Sequence, residues 1–226
     1  MRSSAALAAA TLALLLAPAT AHSAAPAPPA AAAPGETVRL PVREALAQLP
    51  VHAENREGYK RTAFKHWIDA DKDGCDTRAE VLLDEAVVAP DQGTRCKLTG
   101  GIWKSPYDDR TFDNARSLDI DHLVPLAEAW DSGASTWSPK EREAYANDLG
   151  DPRALIAVSA ASNRSKADQD PTTWMPPAPG YRCQYASDWV ADKTRWGLSI
   201  DTAERTALTD ILHACPNRSI TVTTAR

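Results

Sequence analysis

The four cysteines of this 226-residue chain constrain its fold more than any other sequence feature. An even number of cysteines in a chain with export features predicts two disulfides. Three pairings are possible, and the simplest joins sequence neighbours; each bridge would add about 3 kcal/mol of stability, because it restricts the unfolded chain. The alternative is a four-cysteine zinc site, which the lack of a C-x-x-C pair disfavours. The cysteines are Cys75, Cys96, Cys183 and Cys215.

The first residues predict export. Met1-Arg2 gives a positive start, and an uncharged apolar run leads to the small-x-small pattern Ala19-Thr20-Ala21. That run is shorter than the roughly 20 residues of a membrane-spanning helix, so it is typical of a secretory signal peptide over residues 1–21. Residues 22–37 are rich in alanine and proline and predict a tether. We therefore expect a secreted monomer without membrane attachment, formed by one domain over residues 38–226.

The net charge of −5 has the wrong sign for binding nucleic acid through bulk charge. Contacts with a phosphate backbone would need a local basic patch or bound metal ions. The tryptophans near the middle of the chain are expected in the core or at its rim rather than stacked on bases. The basic candidates are Arg110, Arg116, Arg153, Arg164 and Lys166, and the tryptophans are Trp103, Trp130, Trp137 and Trp174.

Apolar spacing predicts a mainly helical α+β domain around one small hairpin. Residues 154–160 (ALIAVSA) are apolar except for Ser159 and predict a buried strand, and residues 117–126 predict a strand that ends at Pro125. A short strand or turn is expected over 99–104. Ser138 and Pro139 are typical of a helix start. The predicted helices cover residues 39–49, 55–68, 78–88, 126–130, 139–147, 161–168, 183–195 and 201–214.

The most informative stretch runs from Asp119 to Asp168. A one-metal phosphodiester nuclease needs oxygen ligands for a divalent ion and a base that works near neutral pH. The sequence offers Asp121 and His122 side by side on a predicted strand, and Asn163 near the start of a later helix. Neighbouring strand residues point to opposite faces, so a separate helix has to bring the second oxygen ligand.

These motifs resemble a known family. DIDHLVP followed by SNRSKAD is similar to the ββα-metal core of HNH nucleases, including the HNH domain of RNA-guided CRISPR nucleases. The chain is more similar still to secreted bacterial proteins related to the C-terminal domain of GmrSD-type restriction endonucleases. The resemblance covers about residues 55–180, and it implies a ββα-metal (HNH, or His-Me finger) core over 117–170, embedded in a mainly helical domain. The shared motifs are DGCDTR (73–78), SPYD (105–108), YAND (145–148) and NRSK (163–166).

The resemblance also implies a role for each matching residue. His122 would be the general base, and Asp121 and Asn163 would bind a divalent metal, expected to be magnesium or manganese. Asn147 matches the middle asparagine of the catalytic set, which braces the loop between the strands. Lys166 would contact the phosphate or stabilise developing charge.

A second constellation, DADKDGCDTRAE over residues 69–80, fits the calcium-binding loop of EF-hands. Predicted helices flank it. A cysteine at the seventh position and Asp76 at the eighth depart from the pattern, so the alternative is a solvated acidic loop anchored by a disulfide. The candidate calcium ligands are Asp69, Asp71, Asp73 and Glu80.

Together these features predict a secreted endonuclease that hydrolyses phosphodiester bonds in DNA, with RNA as the other possible substrate. The alternative is a non-catalytic extracellular calcium-binding or wall-associated module. The acidic balance, the tether and the 69–80 loop favour that alternative, whereas the set from Asp121 to Lys166 favours the enzyme.

Overall fold

The computed structural model describes residues 33–226, which form seven α-helices and eight short strands. The predicted signal peptide and residues 22–32 of the predicted tether lie outside the described residues. The helices are α1 (Val42–Gln48), α2 (Thr77–Asp84), α3 (Leu126–Asp131), α4 (Pro139–Ala146), α5 (Ala160–Lys166), α6 (Arg182–Trp196) and α7 (Thr202–His213). The strands are β1 (Thr37–Pro41), β2 (Asp91–Gln92), β3 (Leu98–Thr99), β4 (Trp103–Ser105), β5 (Arg110–Phe112), β6 (Leu118–His122), β7 (Leu155–Ser159) and β8 (Ser219–Thr223).

The antiparallel pair β6–β7 lies between two apolar clusters. Asp121 is opposite Ile156 and His122 is opposite Leu155 in its register. Because alternate residues share a face, both faces of the pair can be buried. The first face packs on α2 and Trp103, and the second packs on the main core. The residues of the first face are Leu118, Ile120, Leu155 and Ala157, and those of the second are Ile156 and Val158.

Helix α5 follows β7 without a loop. Ser159 ends the strand and caps the helix, because its hydroxyl accepts a hydrogen bond from the backbone nitrogen of Ser162. The chain order across this unit is therefore strand, strand, helix, with α3 and α4 inserted between the strands. This arrangement brings the first turns of α5 beside β6.

The C-terminal helices α6 and α7 pack with α1 in the main core, to which α3, α4 and β7 also contribute. Lys193 of α6 is completely buried, and its ammonium group lies 2.8 Å from Glu128 and 2.6 Å from Glu204. These contacts link α6 to α3 and α7. Two disulfides complete the frame, and both join sequence neighbours: Cys75–Cys96 and Cys183–Cys215.

The N-terminal strand lies within the domain. β1 pairs with β8, and the backbone nitrogen of Gly35 donates to the carbonyl of Thr224. Residues 35–37, which the sequence predicted as part of the tether, therefore contact the C-terminal segment. Residues 39–41, predicted as helix, belong to β1, and α1 begins at Val42.

Two further secondary-structure predictions were wrong. The helix predicted over 55–68 is absent except for one 3-10 turn at Arg61–Ala63. Gly58 and Trp67 have φ values of 74° and 60°, and this left-handed backbone interrupts a helix. The expected single hairpin is also wrong, since residues 33–226 contain four two-stranded sheets. By contrast, Ser138 caps α4 with Pro139 at its first position, as predicted.

Candidate active site

One pocket of about 430 Å³ brings together three of the predicted site residues. The end of β6 contributes Asp121 and His122, and α5 contributes Asn163. They meet because β7 pairs with β6 and α5 begins where β7 ends. The predicted base and both predicted metal ligands therefore line the same cavity.

The imidazole of His122 is buried and fixed at one nitrogen. Its Nε2 lies 3.0 Å from the carbonyl oxygen of Ala146, at the end of α4. A carbonyl only accepts, so Nε2 carries the proton and Nδ1 of the neutral ring is left as an acceptor. Burial lowers the pKa of His122 to about 3, which keeps the ring neutral at physiological pH. Trp67 stacks on the imidazole, with ring centroids 5.5 Å apart.

Asp121 lies beside this base and accepts two hydrogen bonds at Oδ2. Lys166 Nζ is 2.6 Å away, and the Tyr107 hydroxyl is 2.5 Å away. Burial raises the pKa of Asp121 and lowers that of Lys166, and the attraction between their charges opposes both changes. Lys166 is completely buried and is not part of the pocket lining. This position favours orientation of Asp121 by Lys166 over the phosphate contact or charge stabilisation that the family resemblance implied.

The oxygens that remain fit a hard divalent cation. Both donors to Asp121 act on Oδ2, so Oδ1 has no hydrogen-bond donor among residues 33–226. Asn163 donates through Nδ2 to Asp119, 3.3 Å away, which leaves its amide oxygen available. A carboxylate oxygen and an amide oxygen are ligands that magnesium, manganese and calcium accept.

Asn147 lies at the end of α4 and uses its whole amide group within the protein. Its Nδ2 donates to the carbonyls of Lys65 and Glu143, and its Oδ1 accepts from Ile68 N and the Thr77 hydroxyl. It is not part of the pocket lining. These bonds fix the end of α4, where the preceding residue supplies the carbonyl that holds His122.

Four residues of the site were missed by sequence reasoning. Tyr107 falls within the SPYD motif, which was the one signal for it, but nothing in that motif indicated contact with Asp121. Trp67, Tyr59 and Arg61 lie in the segment predicted as a plain helix, and no spacing pattern linked them to His122. Their contact with the site depends on tertiary packing.

The predicted basic patch is only partly assembled. Arg164 lines the pocket, and its Nε lies 3.6 Å from Asp119. Arg153 instead pairs with Asp151, 2.6 Å away, and Arg110 lies over the Phe112 ring. Arg116 is exposed on a short turn before β6. The four tryptophans occupy core or rim positions: Trp103 and Trp137 are buried, and Trp130 and Trp174 pack against the main core.

The acidic loop lies apart from this pocket. One carboxylate oxygen from each of Asp69, Asp71 and Asp73 lies within 4.8 Å of the others, so the three could hold a metal ion. Asp69 Oδ2 accepts from the backbone nitrogen of Gly74, and the Cys75–Cys96 bridge anchors the loop. Helix α2 follows it, but no α-helix precedes it within residues 52–68, so the expected helix–loop–helix is not formed. The negative charges of the three aspartates add to burial in raising the pKa of Glu80, the fourth candidate ligand.

Two comparisons relate the chain to known proteins. Residues 79–211 match the family described as GmrSD restriction endonucleases, C-terminal domain. A protein of Arthroderma benhamiae, described as an uncharacterized secreted protein, is 42% identical over 160 residues, which cover 71% of this chain and 77% of that protein. This relative is fungal, so the bacterial origin suggested by the resemblance stays a prediction. No solved structure matches the chain.

The chain is a secreted protein. Its relative is secreted, and the two disulfides are of a kind that persists mainly in oxidising compartments. No helix within residues 33–226 combines the length and the apolarity needed to span a membrane. The family match covers more than half of the chain and includes Asp121, His122 and Asn163. The chain therefore belongs to the family of GmrSD restriction endonuclease C-terminal domains, which indicates a nuclease.

Proposed function

We propose that this protein is a metal-dependent HNH-type endonuclease that hydrolyses phosphodiester bonds. The observation that carries the proposal is the shared pocket of Asp121, His122 and Asn163 on a strand–strand–helix unit. A family named after restriction endonucleases favours DNA over RNA as the substrate.

His122 would act as the general base. The carbonyl of Ala146 holds Nε2, so Nδ1 is the atom that takes a proton from the attacking water. Asn147 would be a positioning residue, because its four hydrogen bonds fix the end of α4. A fixed ring loses little further entropy when it adopts the reactive orientation.

Asp121 Oδ1 and the amide oxygen of Asn163 would hold the metal. Two protein oxygens leave most positions to water, which suits magnesium or manganese better than calcium. A metal bound there supplies charge stabilisation for the phosphate and the leaving oxygen. Lys166 and Tyr107 would orient Asp121 through their bonds to Oδ2.

The test compares substrates and metals with the mature protein. Supercoiled plasmid and a structured RNA are incubated separately with magnesium, manganese, calcium or EDTA. We expect plasmid nicking with magnesium or manganese, none with EDTA, and slower cleavage of RNA. A protein that cleaves neither substrate with any of these metals would contradict the proposal.

A second, non-catalytic role is proposed for the acidic loop. The convergence of Asp69, Asp71 and Asp73 favours a calcium ion that stabilises this part of the domain. Such a site would act on stability and not on cleavage, because the loop does not line the pocket of His122.

A further inference from the structure

The segment of residues 52–68, called here the N-terminal wall, forms one side of the pocket although it precedes the family-matched region. Tyr59 and Arg61 line the same cavity as residues of β6 and α5. Arg56 anchors the wall, since its guanidinium lies 2.6 Å from Asp131 and 2.6 Å from Asp168. The pocket is therefore completed by residues outside the match.

Arg61 is available to a ligand. Its side chain is exposed, and no carboxylate within residues 33–226 lies within 4.0 Å of it. An arginine on a cavity wall without an acidic partner keeps its full capacity to bind an anion.

Arg164 supplies a second cation to the same cavity. Its side chain is 77% exposed, and its Nε is 3.6 Å from Asp119, beyond the range of a hydrogen bond. By contrast, Arg153 and Arg195 are held by aspartates at 2.6 Å. Arg61 and Arg164 are the two weakly held cations in the lining of a pocket that also contains Asp121 and Asp168.

We propose that Arg61 and Arg164 bind the phosphodiester backbone of a nucleic acid across this pocket, which makes the N-terminal wall part of the substrate site. The inference rests on the proposed nuclease function and names the residues that hold its substrate. Guanidinium groups match the paired non-bridging oxygens of a phosphate, and such contacts position the backbone without reading its sequence.

The experiment measures binding without cleavage. Fluorescence anisotropy of a labelled DNA duplex is recorded at several salt concentrations, with every variant built on His122→Ala. Arg61→Ala and Arg164→Ala are compared with Arg39→Ala, which makes the same charge change on strand β1, outside the pocket. Arg61→Gln serves as a second variant that keeps most of the side-chain length, and thermal melts confirm that each variant is folded.

We expect Arg61→Ala and Arg164→Ala each to weaken binding about tenfold, the scale of one lost charge-assisted contact. The slope of log affinity against log salt should also become shallower by about 0.9 for each. Arg39→Ala should change affinity less than about twofold. Equal affinity and salt slope for Arg61→Ala, Arg61→Gln and Arg39→Ala would overturn the proposal, as would a complete lack of duplex binding.

The two proposals can fail separately. Wild-type protein that binds DNA through Arg61 but never cleaves it would defeat the nuclease and leave this inference standing. Metal-dependent cleavage together with unchanged binding by the Arg61 variants would defeat this inference alone.

Discussion

Removing the buried charge of Lys166 should destabilise the fold, because it leaves the buried carboxylate of Asp121 without its charged partner. The change Lys166→Met keeps the length and apolar stem of the side chain but deletes the ammonium group that lies 2.6 Å from Asp121 Oδ2. Lys166 is fully buried and the Asp121 side chain is 6% exposed, so water cannot replace the lost partner. The Tyr107 hydroxyl remains, but a single neutral donor does not compensate a buried carboxylate.

The expected loss follows from the cost of breaking a buried ion pair, about 3 to 5 kcal/mol. For a domain of this size each kcal/mol shifts the melting temperature by about 2 to 4 °C, so the shift should be about 6 to 20 °C. The double variant Lys166→Met with Asp121→Asn removes both charges and should recover part of this loss. Tyr107→Phe deletes one hydrogen bond and should cost less, about 1 to 3 kcal/mol.

Urea unfolding of the wild type, the three variants and Asp121→Asn alone gives the coupling energy of the pair. A loss below about 1 kcal/mol for Lys166→Met would refute the reasoning. A double variant that is less stable than Lys166→Met would also refute it, because the charge left on Asp121 would then not be the source of the loss.

Three other outcomes follow from the charges, the acidic loop and the disulfides. Burial raises the pKa of Glu85 from 4.5 to about 7 in the folded protein. Protonation of Glu85 therefore stabilises the folded state relative to the unfolded state. This stabilisation is complete below pH 4.5 and is lost as the pH rises through about 7. Glu85→Gln removes a buried carboxylate that is ionised at pH 8, so it should raise the free energy of unfolding by up to about 3 kcal/mol at that pH and change it little at pH 4. If urea unfolding gives the same difference between variant and wild type at both pH values, the prediction is wrong. Asp69→Ala with Asp73→Ala should abolish any calcium-dependent rise in melting temperature while magnesium-dependent cleavage persists, and loss of cleavage in the folded variant would place the loop in the active site. A thiol titration of the denatured, unreduced protein should find no free cysteine, and two or four free thiols would contradict the disulfides.

Local chemistry made part of the fold predictable from the sequence. The start of α4 is fixed by contacts between residues at most three positions apart, so it can be predicted from the local sequence. These residues are Ser138, Pro139 and Glu141. The mostly apolar segment of β7 likewise predicted a buried strand, and all five residues of β7 are buried. The prediction that Asp121 and Asn163 lie close together came from the family resemblance. Apolar periodicity predicts single strands and helices, but it does not indicate which strands pair.

The remaining features depend on contacts between distant residues. The wall of residues 52–68 has helical spacing, but it adopts an irregular path held by the bonds of Arg56 to Asp131 and Asp168. Tertiary contacts of this kind override a weak local preference. Lys166 is 45 residues from its partner Asp121, and no local pattern indicates that its charge is buried.

The most direct test of the proposed active site is the rate of plasmid nicking by His122→Ala. His213→Ala provides the matched control, because His213 is exposed at the end of α7 and does not line the pocket. With magnesium or manganese, we expect His122→Ala to nick at least about 100-fold more slowly than the wild type, with His213→Ala unchanged. Nicking by folded His122→Ala at the wild-type rate would contradict the assignment of His122 as the base.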